Sequence, residues 1–297
     1  MSTIHILVAG DAGIDNLVAT ARKIGGETVA VVAGTREVAD AVAASGVDRV
    51  QWLGDPAGRP LEAFAPAAAE IVAAAGPDYV LVASRSAERA LVGAVAATLA
   101  APVYTMVSDI EDGAITRALF GGIAQETVKV PGTAILVMEG GSPATGGSAP
   151  VEEVSGTVLD AVTVVESRAA EYQQVDLGKA SRIVAIGRGL KAQEDVAMIE
   201  ALAAALGAEV ACSRPLAEGQ EWFTHDRYIG VTGQHVAPEL YVAIGISGQL
   251  QHTVGARGAG TVVVVNTDKD CPYMAETDYG IVGDLYTVVP ALTEALQ

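Results

Sequence analysis

The chain has 297 residues and a formal net charge of −18; 51% of its residues are hydrophobic and only 4% aromatic. That length suits two ordinary domains, whose cores must be built from Ala, Val, Ile and Leu, a composition that suits helices packed closely on a parallel sheet. Both halves are acidic, so phosphate backbones and anionic lipid surfaces are repelled, and any anionic ligand must be held locally by a few Arg residues and helix N-termini.

Short β-branched runs alternate with Ala-rich stretches from the start of the chain. Strands are expected over 4–9, 28–33, 47–53, 79–83 and 103–107, with helices over 16–24, 37–44, 61–75 and 89–99 between them. Such alternation means βαβ units and a parallel sheet. The runs 116–120 and 133–138 flank Gly-Gly and Pro-Gly turns and read as late additions to the sheet, with antiparallel pairing open. Residues 140–150 (GGSPATGGSAP) form a loop, 162–166 reads as one more strand, and the polar stretch 167–179 is the linker candidate.

A second alternating unit begins at Arg182. Strands are expected over 183–186, 209–212, 240–244 and 261–265, with a helix over 194–206 and a helical stretch between the last two strands. Residues 282–289 read as a further strand and 290–296 as a closing helix. The expected layout is an N-terminal α/β domain over 1–168, a linker over 169–180 and a second α/β domain over 181–297.

Cys212 and Cys271 are far apart and in no metal-binding spacing, which argues against a disulfide scaffold or a zinc site. The N-terminus, MSTIHILVAG, has no basic segment or cleavage site, and the longest apolar runs have strand length. The expectation is a soluble cytoplasmic protein without membrane insertion.

Gly187-Arg188-Gly189-Leu190-Lys191-Ala192 follows a strand and fits G-x-G-x-x-A, a spacing whose glycines let backbone N–H groups approach a pyrophosphate. A plain Gly-rich βα turn reads equally well. An NAD site would also need an acid at the end of the next strand. That strand ends in Cys212-Ser213-Arg214, with Glu209 at its start, so the NAD reading is weakened. Arg214 lies just past a strand end, where parallel sheets bind ligands. There it can stabilise negative charge on a ring or simply precede a turn proline.

The stretch 240–252 (LYVAIGISGQLQH) is the most informative. It runs from a buried strand into backbone donors, a hydroxyl, an amide and an imidazole, a set that suits a ligand with phosphate at one end and a redox ring at the other. Asn266 ends the next strand, and Asp284 follows Ile281-Val282-Gly283; either residue could equally cap a turn. Paired carboxylates, a nucleophile elbow and a Cys–His couple do not stand out.

These residues resemble the C-terminal FAD domain of electron-transfer flavoprotein alpha subunits. The matching words are GRGL at 187–190, SRP at 213–215, VAPELYVAIGISGQLQH at 236–252, VVVVNTDKDCP at 262–272 and DYGIVGDL at 278–285. The stretch WFTHDRYIG at 222–230 is similar to the Fix subgroup. The resemblance implies two Rossmann-like domains with mainly parallel sheets, the C-terminal one binding FAD. It further implies a heterodimer with a beta subunit, fed by a dehydrogenase and emptied by a quinone-reductase or ferredoxin-type acceptor.

Position by position, the resemblance puts Arg188 near the phosphates and Ser213 and Arg214 beside the flavin. Thr232 falls at the flavin edge near N5, with Ile229, Gly230 and Val231 leading to it. Ser247, Gly248, Gln249, Leu250 and Gln251 fall along the pyrophosphate and ribityl chain. His252 falls at the pyrimidine O2, where it would stabilise the anionic semiquinone. Asn266, Asp284 and Leu285 fall at the adenosine half. Gln234-His235 and Cys271 depart from the family pattern without removing a ligand group.

Three functions compete at this point: a flavin electron carrier, an NAD- or thiamine-linked oxidoreductase subunit, and a nucleotide-binding regulatory module. The missing acid disfavours NAD, and the Arg, Thr and His grouped near a ring disfavour a mere nucleotide binder. Gly10-Asp11-Ala12-Gly13 places an acid where a phosphate would sit, so the first domain is expected to bind no nucleotide.

Overall fold

The computed structural model describes residues 2–166 and 175–296. The chain divides into two compact units, Met1–Arg168 and Ala169–Gln297.

The first unit contains β1 (Thr3–Ala9), α1 (Asp15–Ile24), β2 (Glu27–Ala33), α2 (Arg36–Ala43), β3 (Arg49–Trp52), α3 (Ala65–Ala75), β4 (Tyr79–Ala83), α4 (Ser86–Leu99), β5 (Val103–Glu111), β6 (Ala114–Leu119), β7 (Ala124–Lys129), β8 (Ala134–Met138) and β9 (Val151–Glu153). Its nine strands lie in the order β7-β6-β5-β8-β4-β1-β2-β3-β9. All neighbours are parallel except β5–β6 and β6–β7. Leu17, Val18 and Ala21 of α1 and Ala39, Val42 and Ala43 of α2 pack on one face. The Ala-rich faces of α3 and α4 cover the other. Strands covered on both faces need continuous apolar runs, which is why ILVA and VAVVA read as they do.

Two expectations for this unit are corrected. The run at 133–138 is no antiparallel addition: β8 inserts parallel between β4 and β5, and all five of its residues are buried. Burial on both faces, rather than the turn before it, decided its place. Residues 162–166 form no strand; they are exposed, with the Val164 N–H bonded to the Gly58 carbonyl at 2.9 Å. The last strand is β9, which pairs with β3.

The second unit contains β10 (Arg182–Ile186), α5 (Val196–Leu206), β11 (Glu209–Ser213), β12 (Tyr228–Ile229), β13 (Leu240–Ile244), α6 (Leu250–Thr253), β14 (Thr261–Asn266), β15 (Tyr279–Val282) and α7 (Leu285–Ala295). Its six strands, in the order β12-β11-β10-β13-β14-β15, are parallel throughout. Strand order reverses between β10 and β13, and in such a sheet the crevice outside that point takes the ligand.

The expected strand at 282–289 is also corrected: β15 ends at Val282, and α7 runs from Leu285 through Pro290. The Asp284 carboxylate caps this helix by accepting from the Tyr286 N–H at 3.0 Å. Leu285 and Val289, one helical turn apart, are buried in the core and outweigh the β-branched pair Val288-Val289. Of the expected linker, residues 169–174 lie outside the described residues. The remainder packs on the second unit: Leu177 is buried, and the Val175 N–H donates to Asp226 at 3.0 Å.

Candidate functional site

The crevice between β10 and β13 holds a cavity of about 480 Å³. Two βα turns meet at its floor. A Cβ on Gly187 would overlap the Gly245 carbonyl, and one on Gly189 would lie 2.7 Å from the Gly245 Cα. Gly245 also has φ +61, a backbone conformation that side chains rarely adopt. The glycines therefore serve close approach of backbone to backbone, which leaves the space above them open.

Arg188, Lys191 and Arg214 all line the cavity, and Asp284 is its one carboxylate among the described residues. In a chain of charge −18 this is a local concentration of positive charge, suited to an anionic ligand. Lys191 is held in place: its N–H bonds to the Tyr286 hydroxyl at 2.8 Å, and its ammonium sits 4.8 Å from the centre of the Tyr286 ring. The same hydroxyl donates to Asp195, at the start of α5.

Ser213, at the end of β11, is buried and lines the cavity. Arg214 is exposed, and its Nε bonds to Glu218 Oε2 at 2.6 Å, with the second Glu218 oxygen 3.7 Å from His225 Nε2. Ser247 and Gln249 line the cavity from the β13–α6 connection and Gln251 from α6, with Ile229 and Tyr228 on the wall. Asn266 lines it too. Its amide donates to the Ile246 carbonyl at 3.0 Å and accepts from the Asp268 N–H at 3.1 Å, tying the ends of β13 and β14 together.

His252 is 7% exposed on the cavity wall, and its Nε2 lies 2.8 Å from the Tyr241 hydroxyl. Its Nδ1 is buried with no hydrogen-bond partner. Burial lowers its pKa from 6.5 to about 4, so the imidazole is neutral at ordinary pH.

The family profile described as the electron transfer flavoprotein FAD-binding domain matches residues 176–257. The profile of the electron transfer flavoprotein domain matches residues 15–159. FixB of Salmonella typhimurium (strain LT2) is 38% identical over 265 residues, covering 84% of each chain. YdiR of Escherichia coli (strain K12), named for an electron transfer flavoprotein subunit, is 40% identical over 248 residues, covering 80% of this chain and 79% of its own. FixB of Escherichia coli O7:K1 is 37% identical over 257 residues, covering 82% of each chain. The chain belongs to the electron transfer flavoprotein alpha subunits, of the Fix type.

In this alpha subunit the cavity brings together Arg188, Ser213, Arg214, Ile229, Ser247, Gln249, Gln251, His252, Asn266, Asp284 and Leu285. It does not bring Gly230, Val231, Thr232, Gly248 or Leu250 to its lining. Gly230 and Val231 pack on the start of α6, the Val231 N–H donating to the Gln251 carbonyl at 2.8 Å. Thr232 is exposed, with its hydroxyl 3.1 Å from that of Tyr228. Gly248 is pressed against Tyr273, which leaves no room for a Cβ, and Leu250 opens α6 half-buried.

Lys191 and Tyr228 line the cavity and were passed over in the sequence. A basic residue two places after the second glycine of GRGLK was the available signal for Lys191; Tyr228 had none. The FAD-domain profile ends at residue 257; Asn266, Asp284 and Leu285 lie beyond it, and the fold brings them to the same cavity.

The corresponding crevice of the first unit, outside β1 and β4, is filled from within. Arg85 donates to the Gly13 carbonyl at 2.7 Å, and its Nε lies 3.5 Å from Asp11 Oδ2. Glu88, 1% exposed, accepts from the Ala9 N–H at 3.3 Å, and burial raises its pKa. Among the described residues no His, Cys, Asp or Glu group could hold a metal ion, and no helix is long and apolar enough to cross a membrane.

Proposed function

We propose that this subunit holds one FAD in the cavity of its second unit and serves as an electron carrier in a heterodimer with an electron-transfer flavoprotein beta subunit. The observation that carries the reading is His252. His252 lines the cavity together with two glycine turns and three cationic side chains, and its Nδ1 is buried without a hydrogen-bond partner. Buried polar atoms are rarely left unpaired, and a ligand carbonyl would satisfy this one.

A bound flavin supplies the redox chemistry, gathering negative charge at its N1–O2 end as electrons arrive. Arg188 and Lys191 supply positive charge for the diphosphate, and the close-packed glycine turns let backbone N–H groups reach it. Arg214 favours a negatively charged ring, while His252 contributes a neutral hydrogen bond rather than a second charge. Asn266, Asp284 and Leu285 serve the adenosine half. Thr232 is engaged with Tyr228 in the free chain and offers its hydroxyl to the ring edge when that bond is exchanged.

Electrons enter from a dehydrogenase and leave to a quinone-reductase or ferredoxin-type acceptor, with no substrate turned over on this subunit. The first unit shapes the heterodimer and binds no nucleotide, a reading supported by the Arg85 guanidinium in its crevice. Co-expression with a beta subunit, followed by visible spectroscopy and cofactor extraction, tests the proposal. Flavin bands at one FAD per heterodimer, better retained than by the chain alone, are expected. A colourless complex would overturn the cofactor, and full retention by the isolated chain would overturn the partner.

A further inference from the structure

We propose that Tyr241 is a positioning residue that keeps the His252 proton on Nδ1, so that the imidazole presents an N–H donor to the flavin; the inference rests on the FAD reading above.

Tyr241 is fully buried on β13, between β10 and β14, and its hydroxyl lies 2.8 Å from His252 Nε2. A neutral imidazole has one donor and one acceptor nitrogen, and what faces each nitrogen decides which is which. Burial drives the Tyr241 pKa well above its usual 10, so the phenol keeps its proton and can donate it to Nε2. On the other side of the ring, Nδ1 is buried and has no hydrogen-bond partner. A proton donated by Tyr241 to Nε2 therefore leaves Nδ1 as the N–H donor of the neutral ring.

The competing arrangement turns the Tyr241 proton toward Tyr273, a neighbour in the same buried cluster whose ring stands edge-on to His252 with centres 6.2 Å apart. His252 would then donate through Nε2 and present a bare Nδ1 lone pair to a flavin carbonyl. That contact is repulsive in a buried site, where electrostatics are weakly screened.

The ring nitrogens of the four histidines can be followed by 15N NMR on the full-length chain, with His252→Gln assigning the signals of interest. The wild-type chain should carry the proton on Nδ1; a proton on Nε2 overturns the proposal. Tyr241→Phe should abolish the preference, whereas Tyr273→Phe should leave it intact. An unchanged tautomer in the first variant, or a lost one in the second, overturns it.

In the FAD-loaded heterodimer, Tyr241→Phe should shift the first-electron equilibrium toward oxidised flavin by up to about tenfold, or about 59 mV. An unchanged potential despite a changed tautomer would show that the donor does not serve the flavin. The NMR measurement needs no flavin, so a chain that binds none defeats the functional reading while still deciding the tautomer.

Discussion

Arg214 and Glu218 form an ion pair at the cavity: Nε of the guanidinium lies 2.6 Å from a carboxylate oxygen one helical turn away. An exposed pair of this kind contributes only about 0–1 kcal/mol to stability. Its interest is electrostatic, since Glu218 sets how much positive charge Arg214 offers the cavity.

Arg214→Ala should therefore shift the first-electron equilibrium of bound flavin toward the oxidised form by about tenfold, or about 59 mV. Glu218→Gln should move it the other way by a smaller factor. FAD content should change little in either variant, because the proposed phosphate-facing charges are those of Arg188 and Lys191. Redox titration of the two heterodimers checks both signs, and equal potentials would remove Arg214 from the tuning of the flavin.

Acid should weaken the fold through its buried histidines. His5 and His252 are both lowered from 6.5 to about 4, mainly by burial, with the Arg49 charge adding to the effect at His5. Above pH 6.5 the folded and unfolded chains are both neutral at these sites, and no difference arises. Below it the unfolded chain takes up the protons first, so stability falls until about pH 4, where the folded chain protonates as well. By pH 5 each histidine should cost about 2 kcal/mol. Chemical denaturation at pH 7.5 and pH 5 measures the loss; His5→Gln should reduce it in the first unit only.

A methyl group at the cavity floor should be worse for the cofactor than loss of a phosphate-facing charge. Gly187→Ala drives a Cβ into the Gly245 carbonyl. It should destabilise the second unit by about 1–3 kcal/mol and strip most of the flavin. Arg188→Ala should retain more. The flavin-to-protein ratio after gel filtration ranks the two.

Arg85 should matter to the first unit alone. Its removal leaves the Gly13 carbonyl without that donor and Asp11 without its counter-ion. Arg85→Ala should lower the stability of that unit by about 1–3 kcal/mol, read by denaturant titration. The flavin potential should stay at the wild-type value.

The alternation of strands and helices was legible because each signal is local. Runs such as VVVV and LYVAI are strand-length and apolar, and the Ala-rich helices end at glycines such as Gly76 and Gly207, which are left-handed here. The motif words around Arg188, Ser213 and His252 were equally local, since each runs from the end of one strand into the turn or helix that follows it. What remained out of reach depends on contacts between distant segments. β8 took its place between β4 and β5 because both of its faces could be buried there. α7 began at Leu285 because Asp284 could cap it and the core could receive Leu285 and Val289 on one face. Tyr241 and His252 are eleven residues apart, and only the packing of α6 on β13 brings them to a hydrogen bond. That same burial makes His252 neutral, because the cost of charging an imidazole is set by the surroundings the fold builds around it.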